Sequence, residues 1–226
     1  MQMINSALGH IIYMPSIISN GKSIKEIKPF LENSINDFMN EMDLYLDRNK
    51  DERFLRYFGE RSFLSMFINA IIRNDIKKVV TGVQEYPVEV DGPDMRCDAW
   101  LNYDQNIFII EAKRQKLENE VLDSNHWDMD AWLKWDDLEV KPQLSVYYNA
   151  ESEGISLPRY KSCFLMTLVF KVIQQDFKKH FSDAEVNLKS DFHPGQDWFY
   201  SVGFIRENES EELLGVEVYG TIVKKK

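Results

Sequence analysis

Apolar residues recur at helical spacing from Pro29 to Asp47, where Phe30, Leu31, Ile35, Phe38, Met42 and Leu46 share one stripe. The spacing predicts a helix with that stripe in the core. Ser23 and Glu26 have capping-box spacing, and Pro29 soon after them predicts a separate first turn before the helix proper. A second helical stretch, Asp51–Phe58, is ended by Gly59. A third follows over Glu60–Arg73 with Leu64, Phe67, Ile68 and Ile71 as its stripe. Glu60 lies one turn before Leu64. An acid there is favourable in any first helical turn, because the unpaired N–H groups carry partial positive charge. The same position also directs a carboxylate toward a sheet beneath the helix.

The pattern then turns to strands. Val79–Val90 reads as one, with Pro87 marking an edge or an irregularity. Asp91-Gly92-Pro93-Asp94 is a turn. Met95–Tyr103 and Ile107–Arg114 read as two short strands joined by a polar tip. Leu117–Glu139 is acidic, with Trp127, Trp132 and Trp135 as anchors of a helical cover. Pro142 suits the first position of another helix, Pro142–Ala150, on which Gln143 and Tyr147 share a face. Lys161–Ile173 reads as a buried strand, and Trp198–Arg206 with Leu213–Val223 as a C-terminal β-hairpin. With no repeat or linker in 226 residues, the economical reading is one α/β domain. Residues 1–59 form an N-terminal helical segment, 60–150 a core, and 151–226 the remaining strands.

Composition narrows the class. Hydrophobic residues make up 44% of the chain, enough for a folded core. Cys97 and Cys163 are the only cysteines, far apart and among apolar neighbours, which fits a reducing cytoplasm rather than a disulfide framework. The longest apolar run, Cys163–Ile173, is too short to span a bilayer. A net charge of −10 argues against a general nucleic-acid-coating protein. Charge is unevenly spread, however. Leu117–Glu139 holds eight acids against one lysine, whereas Lys161–His180 holds four lysines against Asp176. No Gly-rich phosphate loop is present, and His10, His126, His180 and His193 have no metal-ligand spacing.

The two strands over 95–114 carry the candidate chemistry. Alternation puts Glu111 and Lys113 on one face and Phe108, Ile110 and Ala112 on the other. A loop centred between Asp104 and Gln105 sets Asp98 opposite Glu111, roughly 5 Å apart at Cβ. Two carboxylates that close repel unless a cation lies between them, and hard oxygen ligands suit magnesium. Glu-x-Lys also occurs at Glu26–Lys28 and Glu139–Lys141, but only Glu111-Ala112-Lys113 follows an apolar run with an aspartate in hairpin register.

Glu60 on a helix, then Asp98, twelve residues, Glu111-Ala112-Lys113, and Gln143 and Tyr147 on a later helix resemble the PD-(D/E)XK nuclease superfamily. The last pair is similar to the Gln-x-x-x-Tyr element of its RecB-like exonuclease branch. The resemblance covers roughly residues 60–150. It implies a restriction-endonuclease-like mixed β-sheet flanked by helices, Mg²⁺ or Mn²⁺, and phosphodiester hydrolysis, with DNA as the expected substrate. Asp98, Glu111 and the Ala112 carbonyl would hold the ion, with Glu60 as a third carboxylate. Lys113 would orient water or neutralise developing charge, and Gln143 would position water or backbone. Arg96, Arg114, Lys116 and Tyr147 would contact nucleic acid, along a basic rim shared with some of Lys161, Lys171, Lys178 and Lys179. Cutting a duplex would require a homodimer, for which the strand Leu213–Val223 offers a candidate edge. The competing reading is a non-catalytic module of the same fold, binding a protein partner through the acidic 117–139 segment.

Overall fold

The computed structural model describes residues 2–5, 11–14, 17–49, 58–74, 79–88, 95–114, 162–175, 197–207 and 213–224. Three short strands come first, β1 (Gln2–Asn5), β2 (Ile11–Met14) and β3 (Ile18–Asn20). Helix α1 spans Lys22–Asn49 and α2 spans Glu60–Asn74. The remaining strands are β4 (Val79–Val88), β5 (Met95–Tyr103), β6 (Asn106–Arg114), β7 (Ser162–Gln175), β8 (Trp198–Glu207) and β9 (Leu213–Lys224). They form one nine-stranded sheet in the order β1-β2-β8-β9-β7-β6-β5-β4, with β3 also paired to β8. Among the described residues, β6 and β7 run parallel and the other pairs are antiparallel. The architecture is a mixed-sheet α/β fold. Among the described residues, no helix is long and apolar enough to cross a membrane.

Both described helices pack on one face of the sheet. Ile35, Phe38 and Met42 of α1 and Phe63, Phe67 and Ile71 of α2 share a core with Ala99, Leu101, Phe108, Ile110, Phe164, Met166 and Phe170. Phe170 is the meeting point: its ring stacks on Phe63 at 5.4 Å and lies 5.4 Å from Phe38 and 6.2 Å from Phe67. A second stack runs Phe30–Phe108–Phe164, at 4.3 and 5.3 Å. Residues Ile107 to Ala112 of β6 are all buried, as expected of a strand covered on both faces.

Four expectations change. Helix α1 runs straight through Pro29 rather than starting there. Proline costs one backbone hydrogen bond, but Ile24, Ile27, Phe30 and Leu31 form an unbroken buried stripe across it, and Pro29 itself faces solvent. Its first turn is capped across the fold, not by the Ser23/Glu26 pair. The Ser23 N–H donates to Asp197 Oδ2 at 2.8 Å, and Glu26 pairs instead with Lys224. This contact requires Gly21, at φ 105°, since any Cβ there would overlap the Asp197 carboxylate. The N-terminal segment is not purely helical, because β1, β2 and β3 precede α1 and join the sheet. Finally, β9 offers no dimer edge: it lies between β7 and β8. The free ends of the described sheet are β1 and β4, and Pro87 sits on the latter, as edge placement allows.

The β7–β9 ladder is interrupted between Met166↔Ile222 and Val169↔Tyr219. There the Thr221 N–H donates to Thr167 Oγ1 at 2.7 Å instead of to a backbone carbonyl. Gly220 makes the close approach possible, since a Cβ on it would lie 1.8 Å from the Thr167 carbonyl oxygen. Gly220→Ala is therefore expected to destabilise the fold by about 2 kcal/mol or more, because backbone must move. Gly59→Ala, where a Cβ meets nothing within 4 Å, is expected to cost less than about 1 kcal/mol. Urea unfolding of both variants checks the contrast; equal midpoints would refute it.

Candidate active site

The hairpin of β5 and β6 turns at Asp104 and Gln105, both with positive φ (46° and 65°), the signature of a two-residue turn matched to strand twist. That turn sets the register. Pairs run from Tyr103↔Asn106 to Ala99↔Ile110, as the position of the polar tip predicts. Ala99 and Ile110 belong to the helix-side core, so alternation places Asp98, Glu111 and Lys113 on the opposite face. Asp98 and Glu111 are the next residues beyond the last ladder pair. The strands part at this level. The Ala112 N–H, which would next bond across to β5, donates to Asp98 Oδ2 at 2.7 Å.

Glu60 completes the cluster from α2. Gly59 precedes the helix, its carbonyl accepting the Ser62 and Phe63 N–H groups, and Glu60 is the first helical residue. Its carboxylate lies 3.8 Å from Lys113 Nζ, and both side chains are about one-third exposed (31% and 39%). The lysine's four-carbon stem allows this reach from the end of β6. Burial raises the Glu60 carboxyl above its ordinary range, and Asp98 adds to the rise. Lys113, the Arg114 backbone N–H and Arg61 act in the other direction. Thus Glu60, Asp98 and Lys113, from three elements, meet at the open end of the hairpin. Glu111 is on the same sheet face as Asp98 but is only 4% exposed.

The other expected residues divide. Arg114 follows Lys113 on the alternate side of β6, and burial lowers the pKa of its guanidinium. Arg96 is placed only by its backbone, opposite Pro87 of β4. Lys116, Gln143, Tyr147, the acidic 117–139 segment, Lys161, Lys178 and Lys179 lie outside the described residues. Lys171 does not belong to a basic rim: it is 12% exposed and forms an ion pair at 3.5 Å with the fully buried Glu217. Glu217 also accepts the Tyr200 hydroxyl at 2.9 Å. Burial and this carboxylate push Tyr200 well above the usual tyrosine range, and Tyr219 likewise. One charge in the interior of each of two apolar strands was a sequence signal for such a pair, since neither could be buried alone. Arg61, one residue after Glu60, had no comparable signal.

Among the described residues, no three His, Cys, Asp or Glu side chains form a group able to hold a metal ion. The comparisons with family models, curated proteins and solved structures found no match.

The raised Glu60 carboxyl has a pH consequence. As pH rises from the unfolded-state pKa through the folded-state one, the folded protein ionises a group that its surroundings disfavour, and stability is lost. Glu60→Gln is expected to flatten that part of the stability–pH curve. At neutral pH the variant should stay within about 1 kcal/mol of the parent, because the lost ion pair is about one-third exposed and screened by solvent. Urea unfolding from mildly acidic to neutral pH measures both; an unchanged slope would contradict the assignment.

Proposed function

We propose that this chain is a metal-dependent nuclease that hydrolyses phosphodiester bonds, most plainly those of DNA. The observation that supports it is the meeting of Glu60, Asp98 and Lys113 where β5 and β6 part. A partly buried carboxyl raised first by burial and further by the nearby Asp98, beside a cationic amine, is a poor way to stabilise a fold and a suitable way to receive a divalent cation. The donors suit such an ion in chemical kind, since the Asp98, Glu60 and Glu111 carboxylates and the Ala112 carbonyl are hard oxygen ligands, but no three of the acidic side chains are grouped as a ligand set by themselves. The restriction-endonuclease-like reading of the mixed sheet belongs to the same proposal.

When bound, Mg²⁺ or Mn²⁺ would supply Lewis acidity and a more acidic water. The protein's own groups do the rest. Asp98 is fixed by the Ala112 N–H through Oδ2, which leaves Oδ1 for the cation. Lys113 supplies positive charge at the phosphoryl oxygens as negative charge grows on them. Glu60 holds the Lys113 ammonium at the site before substrate arrives. Arg96, Arg114 and Lys116 are the proposed phosphate contacts, with Gln143 and Tyr147 proposed beside them.

Lys113→Ala is expected to lower Mg²⁺-dependent cleavage of DNA by about 10²-fold or more, while stability changes by less than about 1 kcal/mol. EDTA should abolish cleavage by the parent. Binding of the variant to duplex DNA with Ca²⁺ or EDTA, across a salt series, gives a second measure. Affinity should rise with the ion, and its logarithm should fall with log salt by about 0.9 per neutralised phosphate. Full activity in the variant would sink the proposal. Absence of cleavage and DNA binding by the parent would favour a protein-binding module acting through the acidic 117–139 segment.

A further inference from the structure

Asp98 and Thr167 do the same unusual thing on either side of the central strand pair. Each takes, with a side-chain oxygen, a backbone N–H that a regular ladder would give to a carbonyl: Ala112 N–H to Asp98 Oδ2, and Thr221 N–H to Thr167 Oγ1. Both substitutions fall at the level of Glu111. Asp98 is its neighbour across the hairpin in the register that ends at Ala99↔Ile110, and Thr167 is its partner in the parallel β6–β7 pair. The β5–β6 ladder stops there and the β7–β9 ladder is interrupted there. A carboxylate accepting a backbone N–H at 2.7 Å makes a short, charge-assisted bond that holds the side chain in one orientation.

We infer that the Ala112 N–H is a clamp on Asp98 that sets its ion-binding geometry in advance. Asp98 binds a divalent cation through Oδ1 alone, while Oδ2 remains on the Ala112 N–H and keeps the fork between β5 and β6 in place. Asp98 therefore has two separable roles, ion ligand and fork closure. The ligand role rests on the proposed nuclease reading; the fork role does not. Asparagine separates them. Its single carbonyl oxygen can still accept the Ala112 N–H, but it brings neither the charge nor the second oxygen. Alanine removes both roles.

The experiment is amide hydrogen exchange at Ala112, read by NMR in the full chain, beside calorimetric titration with Mn²⁺. In the parent, the Ala112 amide should exchange slowly, and no faster when Mn²⁺ is replaced by diamagnetic Ca²⁺ for the NMR arm. Asp98→Asn should keep slow exchange and lose about tenfold or more in Mn²⁺ affinity. Asp98→Ala should lose that affinity too and exchange at Ala112 about tenfold or more faster, as expected for loss of a charge-assisted bond. Faster Ala112 exchange on adding Ca²⁺ would mean that the carboxylate leaves the N–H to bind the ion, and would overturn the clamp. So would exchange in Asp98→Asn as fast as in Asp98→Ala. If Asp98→Asn fails to fold, the parent's exchange with and without Ca²⁺ still decides. If the parent binds neither ion, the nuclease reading and the ligand role fail together, while the two variants' exchange rates still test the fork.

Discussion

The packing of three phenylalanine rings on Phe170 is what ties the candidate site together. Phe38 of α1 and Phe63 and Phe67 of α2 converge on this one residue of β7. Phe63 stands one turn after Glu60 in α2, and β7 pairs in parallel with β6, which carries Lys113. The distance between Glu60 and Lys113 is therefore governed by an aromatic cluster and one strand pair. Surface ion pairs alone orient little, because side-chain entropy and solvent screening oppose them. Here the rings do the orienting, and the ion pair reports the result.

The two faces of the sheet are built differently. The helix-covered face is almost wholly apolar, as a close-packed core should be. The opposite face carries Asp98, Glu111, Thr167, Lys171, Tyr200, Glu217, Tyr219 and Thr221, several of them fully buried. Burying such groups costs free energy unless each finds a partner. Partners are found within the face: Tyr200 and Lys171 on Glu217, Thr221 on Thr167, and the Ala112 N–H on Asp98. These are directional contacts that tolerate few alternative registers. They give the central strands a defined alignment at the level where Glu111 is presented.

Some of this was legible residue by residue. Periodicity located the stripe of α2, and alternation separated Glu111 and Lys113 from Ile110 and Ala112. The polar tip centred between Asp104 and Gln105 was enough to give the register of β5 and β6, because a two- or four-residue loop with that centre gives the same pairs. Pro87 marked an edge or an irregularity, and among the described residues its strand β4 stands at one end of the sheet. Pro29 misled, since its local penalty was outweighed by a buried stripe that a propensity argument does not count. The strand Leu213–Val223 was legible as a strand, but not as an interior one. Its neighbour β7 is some forty residues away in the chain, and neither turn nor spacing announces that pairing.

What the sequence by itself determined are the local elements and the hairpin register, both governed by interactions among near neighbours. Tertiary structure alone decided that Glu60 reaches Lys113, that Lys171 turns inward to Glu217, and that Glu111 lies beside Thr167. Those outcomes depend on the parallel β6–β7 pair and on helices packed over it. Parallel strands need a long crossover, so their register is set by which buried faces fit and not by the geometry of a turn.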